Sequence, residues 1–109
     1  MSGRDRRRFY RLRYPTKERP ELVLGDQTFP VTELSEGGLR ILAKELPQTG
    51  VHGILRLKDG QEIGIEGSAV RQEGDEAIIV DLKGVEFSHL VSEHRRLLLL
   101  YPDMRSDRR

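Results

Sequence analysis

Arg7 and Arg11 are the residues whose types and spacing most directly imply chemistry. They stand as RxxxR inside "RDRRRFYRLR", residues 4 to 13, where six arginines surround one Phe-Tyr pair. On a helix, residues i and i+4 share a face. In an extended segment they also point the same way, roughly 13 Å apart by strand rise, and a curled arm brings both guanidiniums around one ligand. The planar fork of arginine donates two parallel hydrogen bonds to guanine O6 and N7, and it matches phosphate oxygens for the same reason. Alone, the spacing is weak evidence, because arginine-rich termini generate it by chance.

The second stretch is "ELSEGG", Glu33 to Gly38. A carboxylate, a hydroxyl two residues on and a glycine closing a turn form a small polar cup. Glu33 is placed to accept from guanine N1–H and the exocyclic amine, and Ser35 to bond base or phosphate. Gly38 lets the backbone approach closely. Without a partner motif the same letters describe an ordinary Ser-Gly turn between two strands.

Composition narrows the classes. The 109 residues carry 19 Lys+Arg against 18 Asp+Glu, a net charge of +1. Since the first thirteen residues hold six Arg and one Asp, the remainder is acidic. That distribution favours a local anion site over a surface that coats DNA or RNA. A patterned aromatic platform for stacking RNA bases is also missing. Cysteine is absent, which excludes disulfides, thiolate nucleophiles and Cys-based metal sites. The histidines, His52, His89 and His94, follow no metal-ligand spacing. Ser35 lacks a GxSxG elbow and a recognisable histidine partner, so no catalysis and no cofactor are expected. No apolar run approaches a membrane span, and no apolar stretch of signal-peptide type follows the arginines, which makes a cytoplasmic protein the default.

The elements that must position these residues are short. "YPTKERP" reads as an extended lead-in, and "ELVLGDQTFPVTEL" as a hairpin turning at Gly25-Asp26, its second strand ending near Glu33. "LSEGG" is a turn, and "LRIL" a strand with Leu39 and Ile41 inward. "ILRL" alternates before "KDG". "QEIGIEGSAVRQ" is a long strand whose two glycines predict a bend or bulge. "AIIVDL" follows the "EGDE" turn, and "KGVEF" continues it after a break. About six short strands with glycine-rich turns predict a small antiparallel barrel or sandwich. From Ser88, a plausible N-cap, "SHLVSEHRRLLLLY" places Leu90, Val91, Leu97, Leu98 and Tyr101 on one helical stripe, and Pro102 stops the helix. Leu99 and Leu100 widen the apolar surface. Deep seating on the barrel explains this, and contact with a second subunit, a homodimer, is the sharper alternative.

RxxxR followed between two strands by [D/N]xSxxG is the signature of the PilZ domain, which this sequence resembles over nearly all its length, from about Arg6 to Tyr101. "RRRFYRLRYP" looks like the family's N-terminal arm, "VTELSEGGLRI" like its second motif, and "GVEF" like the strand before its C-terminal helix. The resemblance implies a mainly β fold: a six-stranded antiparallel barrel with a C-terminal α-helix and a flexible N-terminal arm. The parts are then an arm over 1–13, a barrel over 14–87, a helix over 88–101 and a charged tail over 102–109. It also implies binding of cyclic di-GMP, with Arg7 and Arg11 gripping guanine edges and phosphates. Ser35 and the backbone of Gly37 and Gly38 then hold the other face. Arg6, just before RxxxR, is associated in the family with two intercalated ligand molecules, and Arg8 is a secondary candidate for the same shell. The departure is Glu33, one methylene longer than the family's Asp or Asn, for which reduced affinity is expected. The implied function is a sensor or adaptor that changes conformation on binding and signals to a downstream protein partner. The alternative is a ligand-independent protein-interaction domain using the Leu97 to Leu100 cluster.

Overall fold

The computed structural model describes residues 11–45 and 50–103, apart from the side chains of 69 and 70. Its strands are β1 (Arg11–Arg13), β2 (Glu21–Leu24), β3 (Gln27–Ser35), β4 (Gly38–Leu42), β5 (Gly50–Arg56), β6 (Glu62–Glu73) and β7 (Glu76–Lys83). One helix, α1 (Phe87–Leu100), follows them. A 3-10 turn, Thr16–Glu18, lies in the lead-in between β1 and β2.

Closure depends on β3. Along one edge it pairs first with β2 and then, further on, with β1, while its other edge pairs with β4. The sheet runs β1-β3-β2-β5-β6-β7-β4, and the β3–β4 pairing joins its ends. Six strands, β2 to β7, therefore form a closed antiparallel barrel, and β1 extends the edge that β2 leaves open. Closure removes the free edges on which an open sheet of this size would aggregate. The strand expected near "GVEF" does not form: Gly84 at φ +113 ends β7, and Phe87 is already helical.

Alternating apolar residues fill the interior. Leu39 and Ile41 of β4, Val51 and Leu55 of β5, Ile63 and Ile65 of β6, and Ala77 and Ile79 of β7 are buried together. In β3 the alternation changes phase. Val31 and Thr32 are both buried, the register with β4 shifts between Val31 and Glu33, and alternation resumes with Leu34 inward. Thr32 fits inside because its hydroxyl donates to the Arg40 carbonyl (3.3 Å). The bulge matters for everything outside the barrel. Continued alternation from Val31 would have turned Glu33 and Ser35 into the core, and the extra residue turns them out.

A second irregularity lies across the sheet. Between the pairs Glu66–Lys83 and Ser68–Val80, two residues of β7 face the single Gly67 of β6. The irregularity at Gly67 thus carries its extra residue on β7, where Asp81 takes φ +54, a left-handed conformation that aspartate tolerates better than most residues. The bulge expected at the glycines of β6 falls instead between Ala69 and Arg71.

Helix α1 starts before the expected Ser88. Glu86 is the N-cap: its side chain accepts from the His89 backbone N–H, and its own N–H donates to His89 Nδ1 (2.9 Å). This reciprocal cap satisfies two amides that a serine at 88 would leave outside the box. The buried stripe is Leu90, Glu93 and Leu97. Val91, Leu98 and Tyr101 are half-buried, whereas Leu99 and Leu100 are 80% and 53% exposed. Glu93, fully buried, is the unexpected member of that stripe. Its Oε1 accepts from the Tyr14 hydroxyl (2.7 Å) and its Oε2 from Arg96 Nε (3.1 Å). Arg96 also donates to Glu18 (2.9 Å), which accepts from the Tyr101 hydroxyl (3.3 Å). The helix is thereby tied to the lead-in directly after β1.

Candidate functional site

The three-residue strand β1 sets the site. Its pairing places Arg11 opposite Ser35, Leu12 opposite Leu34 and Arg13 opposite Glu33. Leu12 is buried, so Arg11 and Arg13 must face outward, on the same side as the outward Glu33 and Ser35 of β3. Arg11 to Arg13, assigned above to the arm, are therefore a strand on the barrel. Arg6, Arg7 and Arg8 lie outside the described residues.

Arg11, Glu33, Ser35, Gly37 and Gly38 line one cavity of about 240 Å³, together with Leu39 and Arg40 of β4 and Ile78, Ile79 and Val80 of β7. All described members of the sequence-derived set thus come together. Ser35 Oγ donates to the Gly38 carbonyl (3.2 Å), closing the turn between β3 and β4. The same turn is held from the far side, where the Leu82 N–H donates to the Gly37 carbonyl (3.1 Å). Gly38 has a structural reason of its own: a Cβ there would lie 2.7 Å from the Ile79 carbonyl oxygen. The close approach that requires glycine is made by the sheet.

Charges at the rim are arranged around Glu33. Arg13 Nη1 lies 3.0 Å from Glu33 Oε1, and Arg11 Nε lies 3.5 Å from Oε2. Arg40, the cross-strand partner of Glu33 in β4, directs Nη1 instead to Glu73 (3.1 Å) and Glu76 (3.3 Å). The floor is apolar: Ile78 and Val80 are half-buried and face outward, Val80 opposite Gly38 and Ile78 opposite Arg40. A floor of this kind under a rim of guanidiniums suits a flat, anionic ligand. Sequence reasoning missed Arg13, Arg40, Ile78 and Val80. Alternation past Gly38 signals Arg40, but Ile78 and Val80 become neighbours only through the β4–β7 register.

A larger concavity, about 660 Å³, opens across β5, β6 and the end of β7. Glu66 and Asp81 stand there beside His52 and Lys83, so opposite charges mix and no group of cations converges. For an anion, the smaller cavity is chemically the better one.

The site is an outward-facing pocket on a closed barrel, where an arginine, a hydroxyl and a glycine turn meet. The family model of the PilZ domain matches residues 5–101, and the chain belongs to that family. Its members are binding and adaptor domains, generally receptors for cyclic di-GMP. No curated protein matches the chain significantly. Among the described residues no helix is long and apolar enough to cross a membrane.

Proposed function

We propose that this PilZ domain is a cyclic di-GMP receptor whose ligand sits between the barrel cavity and the arginines that precede β1. The observation that carries the reading is the convergence of Arg11, Ser35, Gly37 and Gly38, from two separate sequence motifs, on a single cavity. Arg11 has Nε against Glu33, which leaves the Nη1/Nη2 edge of its guanidinium for a guanine edge or a phosphate. Ile78 and Val80 offer the apolar surface on which a purine face rests.

Size supports a role for the remaining arginines. Pockets that enclose a drug-sized ligand run to roughly 300–1,000 Å³, and 240 Å³ is too small to enclose a ligand of two nucleotides. The other wall comes from Arg7, four residues before Arg11, with Arg6 and Arg8 beside it and Arg6 admitting a second, stacked ligand molecule. Ligand that draws these residues onto the barrel presents a changed surface to a protein partner, and its preference for the closed form supplies the driving energy. The exposed Leu99 and Leu100 are the candidate surface for a second protein chain, either that partner or a second copy.

The reading is tested by calorimetric titration with cyclic di-GMP and, in parallel, cyclic di-AMP. Saturable binding of cyclic di-GMP alone, near two ligands per chain, is expected. Adenine lacks O6, so an equal response to both nucleotides would remove the guanine assignment. One ligand per chain would remove the role given to Arg6.

A further inference from the structure

Glu33 stands where an acceptor for the ligand is expected, yet both its oxygens already face guanidiniums of its own chain. Oε1 is 3.0 Å from Arg13 Nη1 and Oε2 is 3.5 Å from Arg11 Nε. Its side chain is 13% exposed, while those of Arg11 and Arg13 are 66% and 61% exposed. The carboxylate therefore lies beneath the two cations, and the cations hold the outer position.

The backbone dictates this arrangement. Arg13 is directly opposite Glu33 across the β1–β3 ladder, where Cβ atoms stand about 5 Å apart. Arg11 is the diagonal neighbour, two residues along the same outward face. A glutamate stem reaches both, and its extra methylene relative to aspartate is used in spanning the ladder. The third guanidinium next to Glu33, that of Arg40, is hydrogen-bonded to Glu73 and Glu76.

We propose that Arg13 is a further ligand-facing cation, meeting a phosphate beside Arg11. In the same proposal Glu33 is a positioning residue that holds the two guanidiniums side by side and accepts nothing from the ligand. This rests on the cyclic di-GMP reading above. The chain's departure from aspartate at position 33 and the arginine at position 13 then form one device. A carboxylate shared by two arginines leaves a net positive pair that is already oriented when the ligand arrives.

The experiment is a titration of cyclic di-GMP against the wild-type chain, Arg13→Ala, Arg13→Lys, Glu33→Ala and the Arg13→Ala/Glu33→Ala double variant, each at two salt concentrations. Arg13→Ala is expected to weaken binding about tenfold, the scale of one charge-assisted hydrogen bond, with a shallower salt dependence. Arg13→Lys keeps the charge and the strand, and it is expected to restore part of the loss because an ammonium lacks the fork. The double variant is expected to be weaker than wild type by less than the product of the two single effects. Wild-type binding with an unchanged or tighter Arg13→Ala overturns the assignment of Arg13 and leaves the receptor reading standing. Single effects that multiply overturn the positioning role of Glu33. A wild-type chain that takes up no cyclic di-GMP overturns the receptor reading itself, and this proposal with it.

Discussion

An alanine Cβ at Gly38 would stand 2.7 Å from the Ile79 carbonyl oxygen, whereas one at the adjacent Gly37 would meet no atom within 4 Å. The two glycines therefore answer to different demands. Gly38→Ala forces β4 and β7 apart, and a loss of about 1–3 kcal/mol, the usual scale of overpacking, is expected in urea denaturation. A loss under about 0.5 kcal/mol would show that the β4–β7 pairing yields to the methyl. Gly37→Ala is expected to leave stability within about 0.5 kcal/mol of wild type while weakening cyclic di-GMP, because the methyl is added at the wall of the cavity. Unchanged affinity would move the ligand away from Gly37. At this scale the residue types were legible in the sequence, since "ELSEGG" announces a polar turn. The cause of Gly38 was not, because the atom that demands glycine belongs to β7, about forty residues away.

Between elements, the Tyr14–Glu93–Arg96–Glu18 network fixes α1 against the segment that follows β1. Burial, and then the charge and hydrogen bond of Glu93, push the Tyr14 hydroxyl well above the ordinary phenol range. A raised value stabilises the fold fully below the unfolded value near 10, and that contribution is lost as pH climbs beyond it. Tyr101, raised by desolvation and then by Glu18, acts in the same direction. Tyr14→Phe is expected to cost about 1–2 kcal/mol at neutral pH and to flatten the decline of stability above about pH 10, measured by chemical denaturation across pH. An unaltered alkaline slope would remove Tyr14 from the network. On the acid side the Arg96 hydrogen bond, chiefly, lowers the Glu18 carboxyl below its usual value of 4.5. Its contribution is present above that value and disappears as pH falls through the lowered one.

This scale was the least legible. "SHLVSEHRRLLLLY" shows a helical stripe of leucines, but a glutamate within it reads as surface until Tyr14 and Arg96 are placed beside it. The cap at Glu86 was hidden similarly, because serine is the better N-cap by type and only His89 in the third helical position makes the glutamate competitive. The Thr32 bulge did leave a trace. Phe29 and Val31 occupy odd positions and Leu34 an even one, so the apolar parity of β3 breaks at the residue that turns Glu33 and Ser35 outward.

For the whole molecule, the six barrel strands and the terminal helix were readable, since a barrel filled by alternating apolar residues writes its period directly into the sequence. The closing β3–β4 pairing and the docking of β1 were not, because they join strands through register rather than composition. On the proposed receptor reading the ligand binds the folded barrel and not the unfolded chain, so cyclic di-GMP is expected to stabilise the entire barrel. At a hundredfold excess over Kd the gain is about 2.7 kcal/mol, which for a domain of this size raises Tm on the order of 10 °C. A melting temperature indifferent to the nucleotide would oppose specific binding to the folded state. The most direct measurement is calorimetry of cyclic di-GMP with the wild-type chain and with Arg7→Ala/Arg11→Ala. Saturable heats from the first and their loss, or a weakening of at least a hundredfold, in the second are expected if these arginines grip the ligand. Equal heats from both proteins would contradict the site.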